Sequence, residues 1–282
     1  MKLYSRVFRI TKMASTLGVS ARGYYAWLNR GVSKSELENK ELSRKIESIF
    51  NDSRGVYGSR KIQQELHRRY GLSVGLNRVL RLMKEIGLCS IVRKKYKATT
   101  NSNHSLPVAR NYLNRNFYAE KPNQKLVSDI TYIGTDEGWL YLAGVMDLCG
   151  VKMVGIAMDG RMTKELVMEA LTDAVNRAGK PDNCILHSDR GSQYCSHEYQ
   201  KLLRKYGFTC SMSRKGNCWD NAPMESFWGK LKQEWLNGRH FRTREEAKAA
   251  VFEYIWIFYN RKRIHEANGY ITPEEYYALA CA

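Results

Sequence analysis

LVSDITYI, residues Leu126–Ile133, is the stretch on which the fold turns. Its β-branched and aromatic residues read as a strand, and alternation sets Val127, Asp129, Thr131 and Ile133 on one face. A carboxylate among apolar neighbours is costly unless positive charge compensates it. Trp139–Asp147 and Lys152–Met158 have the same strand character, set off by TDEG and LCG turns. Further on, Thr163–Ala178 is amphipathic and opens T-K-E-L as a helix, Cys184–Asp189 is a short apolar strand, His197–Tyr206 a helix and Thr209–Ser213 a strand. Helices follow from about Asn221 to Leu236 and from Thr243 to Tyr259. The order β-β-β-α-β-α-β-α predicts an α/β domain with a mixed sheet and helices on its faces.

Asp129 has two companions. Asp189 ends the run CILHSD just before Arg190-Gly191, at the carboxyl end of its strand, where ligands of α/β sheets gather. Glu225 lies in DNAPMESFWGKLK, on the predicted helix. There Asn221, Glu225, Trp228 and Lys232 recur at helical spacing and form one stripe, with Lys232 about 10 Å along the axis from Glu225. Asp220 or Asn221 is placed to cap this helix, and Pro223 suits its first turn. Three converging carboxylates without an equal set of bases ask for divalent metal. Two magnesium ions about 3.5–4 Å apart activate the attacking oxygen and stabilise the leaving oxygen of a displacement at phosphorus. A lysine at the position of Lys232 then suits a phosphate beside the cut. The bland alternative is three unrelated acids, with Asp129 capping a turn and Glu225 on a solvated helix face.

The charge distribution names the partner class. Of 46 Lys and Arg and 28 Asp and Glu, residues 1–121 hold 25 basic against 8 acidic, while residues 122–282 hold 21 against 20. Nearly all of the net +18 therefore sits at one end, as expected of a polyanion binder. The seven cysteines form no C-x-x-C pair, and neither they nor the six histidines have zinc-site spacing. No run approaches eighteen apolar residues, and MKLYSRVFRI lacks the apolar stretch of a signal peptide. The expected setting is cytoplasmic and reduced, with no membrane partner.

Residues 1–90 read as a helical DNA-binding region. Two short helices surround LGVS, with Tyr24, Tyr25, Trp27 and Leu28 as their apolar face, and Ser33–Phe50 is a third helix. Ser59 is placed to cap a basic helix ending at Arg69. After GLSVG a further helix sets Val79, Leu82, Met83 and Ile86 on one face and Arg78, Arg81 and Glu85 on the other. The last two helices form a helix-turn-helix candidate, which makes Arg78 and Arg81 candidate DNA contacts; the alternative is a helical bundle with a solvated basic face. Residues 91–122 read as a basic linker, whose KKYK cluster, with Lys94 and Lys95, suits phosphate tracking more than packing. Residues 123–282 read as the catalytic domain.

Several blocks carry a resemblance. HSDRGSQY (His187–Tyr194), SRKGNCWDNAPMESFWGKLK (Ser213–Lys232) and YNRKRIHEANGYITPEEY (Tyr259–Tyr276) are similar to signature blocks of the insertion-sequence 3 family of bacterial transposases, in its longer, catalytic frame. YGSRKIQQEL and GLNRVLRLMKEIGL resemble that family's helix-turn-helix region. The resemblance implies a retroviral-integrase-like, RNase H-like core with Asp129, Asp189 and Glu225 as catalytic metal ligands and Lys232 as the basic residue after the glutamate. It implies magnesium or manganese, terminal inverted repeats and target DNA as double-stranded substrates, and 3′-end cleavage followed by strand transfer. It also implies self-association when two ends are paired, a fused upstream-frame partner, and a bacterial, nucleoid-associated setting. Asn221 joins Lys232 as a DNA-contact candidate. His187, Ser188, Arg190, Ser192 and Gln193 read either as orienting groups around Asp189 or as turn chemistry. Trp219 reads either as a stacking platform for an unpaired base or as a core indole. Two other function classes stand beside transposition: a non-catalytic DNA-binding regulator and an RNase H-like nuclease that only hydrolyses.

Overall fold

The computed structural model describes residues 1–91, 108–181, 183–215 and 217–281. Lys94 and Lys95 lie outside the described residues.

Five helices precede the sheet: α1 (Ile10–Thr16), α2 (Ala21–Leu28), α3 (Lys34–Asp52), α4 (Ser59–Tyr70) and α5 (Leu76–Glu85). Ser33 and Glu36 start α3 with a reciprocal capping box. Ser59 falls inside α4 rather than before it, so Gly58 occupies the cap position and offers no side-chain acceptor. Gly71, in the left-handed region, ends α4 and opens the turn into α5. The inner faces of α3, α4 and α5 meet through Ile46, Ile49, Ile62, Leu66, Val79 and Leu82, all buried. Ile86, expected on that face, is at the rim. The apolar face expected on the first two helices is not covered by described residues: Tyr25, Trp27 and Leu28 are exposed, and Ala14 is the one buried residue of α1 and α2. Helices of seven and eight residues offer too little area to shield those rings.

The sheet has the order β3-β2-β1-β4-β5. β1 (Lys125–Thr135), β2 (Gly138–Asp147) and β3 (Lys152–Asp159) form an antiparallel meander, while β4 (Ile185–Ser188) and β5 (Thr209–Met212) add in parallel. The parallel links need crossovers, supplied by α6 (Lys164–Ala178) and by α7 (Ser192–Cys195) with α8 (His197–Tyr206). Alternation along β1 divides the core. Leu126 joins Val154, Leu166, Val167, Leu171 and Tyr199 under α6 to α8. Val127 and Ile133 face the other layer, made by α9 (Ala222–Leu231), α10 (Arg244–Phe252) and the aromatic segment beyond it, with α11 (Pro273–Cys281) last.

Two of the long expected helices change pitch. After Leu231 the chain runs as π-helix through Lys232–Leu236, and after Phe252 through Glu253–Tyr259. Residues 108–121 also depart from the expected connector: Leu113 and Ala119 are buried, and the Tyr112 and Leu113 backbone N–H groups donate to Ser211 Oγ on β5. The N-terminal helices are tied to the C-terminal layer. Tyr57 donates its hydroxyl proton to the Lys262 carbonyl, accepts the Ile264 N–H, and Arg54 pairs with Glu253.

Close packing of α6 on β3 requires a glycine. A Cβ on Gly155 would stand 2.5 Å from the Ala174 nitrogen and 2.6 Å from the Ala174 Cβ, both parts of a packed helix. Gly155→Ala is expected to cost about 3 kcal/mol of stability through overpacking, read by denaturant unfolding. A cost below about 1 kcal/mol would mean that α6 shifts freely on the sheet.

Candidate functional site

The pairing of β1 with β4 brings two of the acids together. Their last paired residues are Val127 and His187, and each chain runs two residues further to reach Asp129 and Asp189. Because parallel partners share a face, the two carboxylates emerge toward the same layer. The third acid arrives on α9. Met224, Phe227, Trp228 and Leu231 bury one side of that helix, which puts Asn221, Glu225 and Lys232 on a common flank. That flank lies along β1. Asn221 Nδ2 donates to the Ser128 carbonyl at 3.1 Å, Trp228 Nε1 donates to Asp129 Oδ2 at 3.0 Å, and Lys232 Nζ stands 5.0 Å from the Tyr132 ring centre. Asp129 is paired across the sheet with Gly144. A Cβ there would come within 2.8 Å of the Trp228 ring, so the glycine gives the indole room to reach the acid.

The electrostatics follow from this convergence. Burial pushes the Asp129 carboxyl up, the Asp189 charge pushes it further, and Glu225 adds a smaller push in the same direction. The Ile130 N–H and the Trp228 indole pull it back only in part. Asp189 is held by its own turn, where the Gly191 N–H donates to its Oδ1 at 2.8 Å. Burial lowers the Lys232 ammonium, while Tyr132 and Asp129 act to raise it. Among the described residues no three His, Cys, Asp or Glu side chains already stand as a ready-made metal cluster. The three acids nevertheless offer an all-oxygen, negatively charged donor set, with Asp129 buried. Such a set fits a hard divalent cation.

Other expected site residues have different surroundings. Asn221 is 4% exposed and occupied by β1, so it locks α9 to the sheet and is not a surface available to DNA; it makes no cap hydrogen bond either. His187 is fully buried between Ser211 Oγ and Ser213 Oγ, at 2.8 and 3.1 Å, and burial pushes its pKa down to about 4. Ser188 is buried, Arg190 Nε donates to the Ser213 carbonyl, and Gln193 Nε2 donates to the Met162 carbonyl. These groups hold the turn that carries Asp189. Trp219 is exposed, not part of the core. Arg78 and Arg81 sit on α5, away from the acids. Arg78 donates to Asn39 at 2.9 Å, and Arg81 stands 3.7 Å from Glu85.

Sequence reading assigned Asp220 only as a possible cap. The structure makes it the centre of a clamp. Its buried carboxylate accepts from Arg214 Nη2 at 2.7 Å, Arg115 Nε at 2.9 Å, Asn111 Nδ2 at 3.0 Å and the Arg214 N–H at 2.9 Å. These donors hold its pKa far below the usual carboxylate range. The clamp joins residues 108–121 to the start of α9. Only the run DN before Pro223 hinted at it, because Asn111 and Arg115 lie about a hundred residues away.

Known families match this layout. The Integrase core domain family model matches residues 119–218, a second Integrase core domain model matches residues 225–278, and the HTH-like domain model matches residues 36–96. The Insertion element IS600 uncharacterized 31 kDa protein of Shigella sonnei is 47% identical over 272 residues, 95% of this chain and 100% of that protein. The Transposase InsF for insertion sequence IS3A of Escherichia coli (strain K12) is 40% identical over 271 residues, 95% of this chain and 94% of that one. Among solved structures, the simian T-cell lymphotropic virus intasome in complex with PP2A regulatory subunit B56 gamma aligns with TM-score 0.48 and 15% identity, over 76% of this chain and 73% of that one. The class is therefore an integrase-core enzyme with a helix-turn-helix before its catalytic sheet. Within that class the chain belongs to the insertion-sequence 3 family of transposases.

Removing the Asp220 charge tests the clamp. Asp220→Asn is expected to lower stability at pH 7 by about 2 kcal/mol, since hydrogen bonds to charged groups are being weakened. The folded-state pKa is depressed, so the contribution is full above the ordinary carboxylate range and is lost as pH falls toward the folded value. The gap between wild type and variant should thus shrink below about pH 4 in unfolding titrations. A pH-independent gap would locate the effect in packing instead.

Proposed function

We propose that this DNA transposase binds the ends of its element through the helix-turn-helix and cuts and joins DNA at Asp129, Asp189 and Glu225. What supports the reading is that β1 and the end of β4 bring Asp129 and Asp189 to one face, where burial first and then the charges of Asp189 and Glu225 raise the pKa of Asp129. In this reading the three side chains hold magnesium or manganese, two ions in all, whose contribution when bound is charge neutralisation and Lewis-acid activation at phosphorus. The chain's own residues supply the rest. Trp228 fixes the Asp129 carboxylate, the Gly191 N–H fixes that of Asp189, and Asn221 keeps α9 in register with β1. Lys232, on the acid flank, is placed to hold a DNA phosphate beside the cut. The products are 3′-end cleavage at terminal inverted repeats and strand transfer into target DNA. Joining two ends needs at least two copies on the DNA, and fusion with an upstream-frame partner belongs to the same reading.

Of the expected limits 1–90, 91–122 and 123–282, the first is kept, and residues 108–122 are moved from the linker to the catalytic domain on the strength of buried Leu113 and Ala119. Labelled terminal-repeat duplex with magnesium separates the function classes. Joined products support transposition, nicks without joining support a nuclease, and binding without cleavage supports a regulator.

Glu225→Gln is expected to keep DNA affinity close to wild type while cleavage falls by on the order of a thousandfold, because a charged ligand is lost with little change in volume. Wild-type cleavage by that variant would remove Glu225 from the site. Replacing Arg78 and Arg81 with Gln should weaken end binding and lower the slope of log K against log salt by about 2, one for each phosphate contact. An unchanged slope would move the end-binding surface off α5.

A further inference from the structure

Helix α9 has a second flank. On a 100° helical wheel Lys230 lies about 140° around α9 from Glu225, and Glu234 follows it four residues on, in the π-helical turn that ends the helix. Glu234 is buried and holds Arg263, also buried, through two hydrogen bonds of 2.6 and 2.7 Å. Next to Arg263 the backbone N–H of Ile264 donates to the Tyr57 hydroxyl, and Lys61 Nζ lies 5.1 Å from the Tyr57 ring centre. Lys61 from α4, Lys230 from α9 and Arg263 all act on His265, so one patch gathers these groups with the strap between the aromatic segment and α11.

The charges in this patch do not balance. Glu234 is committed to Arg263 and also accepts from the Tyr254 hydroxyl. Among the described residues neither Lys61 nor Lys230 has a carboxylate within ion-pair distance; Lys230 donates to Ser226 Oγ at 2.8 Å, and the nearby acids are Glu234, shared by both lysines and Arg263, and exposed Glu266, which acts on Lys61. Both lysines keep partial access to solvent. His265 adds a buried Nδ1 that has no hydrogen-bond partner among the described residues. An arrangement of half-buried cations with no matching acid is completed by an anion.

We propose that Lys61 and Lys230, backed by the Glu234–Arg263 pair, form a phosphate-binding site that grips the DNA backbone on the far flank of the helix carrying Glu225. The inference rests on the reading of the chain as a DNA transposase and adds a contact surface to it. Burial pushes the Lys61 pKa down to about 7 and that of Lys230 to about 8, each with Arg263 as the next cause. A bound phosphodiester would reverse both pressures. Gripping DNA here would tie α4 of the end-binding region and α9 of the catalytic layer to one strand, setting the reach between recognised sequence and cut.

The test uses the full chain and a labelled duplex bearing the element's terminal repeat, with binding measured across a salt series. Lys61→Gln and Lys230→Gln should each weaken binding several-fold and lower the salt slope by about 1, with Tm equal to or above wild type because an uncompensated cation is removed. Lys61→Arg and Lys230→Arg should keep the wild-type slope. Gln variants with unchanged slope and affinity overturn the proposal, whatever their Tm. So does a lowered Tm with weakened binding that the Arg variants do not rescue, since that pattern marks a packing role. If the wild type itself shows no salt-dependent DNA binding, the DNA-transposase reading falls along with the site.

Discussion

A carboxylate buried beside two others, Asp129 next to Asp189 and Glu225, is the constraint around which this layer is arranged. β1 and β4 run parallel and carry Asp129 and Asp189 to the same face, and α9 brings Glu225 near enough for its charge to act on Asp129. Burial first, and then the charges of Asp189 and Glu225, raise the pKa of Asp129. The cost is contained by specific neighbours. The Trp228 indole donates to Asp129, Gly144 leaves space for the indole, and Asn221 fastens the helix to the Ser128 carbonyl. A divalent cation completes the balance in the function proposed for the site.

The helix α9 also explains how distant parts of the chain are brought to bear on one substrate. One flank presents Glu225 and Lys232 to β1, and the other presents Lys230 and Glu234 to the N-terminal helices and the C-terminal strap. Its start is pinned by the Asp220 clamp and its end relaxes into a π-helical turn, a device that often accompanies functional sites. Tyr57, bonded to the backbone at residues 262 and 264, makes the docking of the helix-turn-helix region part of the same core. The helix-turn-helix region and the integrase core are therefore mechanically joined.

How much was legible in the sequence follows from range. The three meander strands, both parallel strands and the acid positions were readable because alternation and apolar runs are local signals, and the stripe from Asn221 to Lys232 was readable from helical period alone. The family blocks made the assignment specific. The role of Asn221 was misread because helical spacing shows which side chains share a flank but not whether a strand already occupies them. The Asp220 clamp joins residues about a hundred positions apart and leaves no periodic trace. The packing of residues 108–121 was hidden by their polar composition, since two buried apolar residues, Leu113 and Ala119, with hydrogen bonds to Ser211 and Asp220, hold them. The expected apolar face of α2 failed for the opposite reason: the pattern was present, but no described residue covers it.

Thermal unfolding of wild type and Asp129→Asn, each with and without manganese, tests the central claim most directly. Taking away one of the crowded charges should leave the metal-free variant at least as stable as wild type. Manganese should raise the Tm of wild type and leave the variant unmoved. Equal manganese-induced rises in both proteins, or none in wild type, would contradict a cation pocket shared by the three carboxylates.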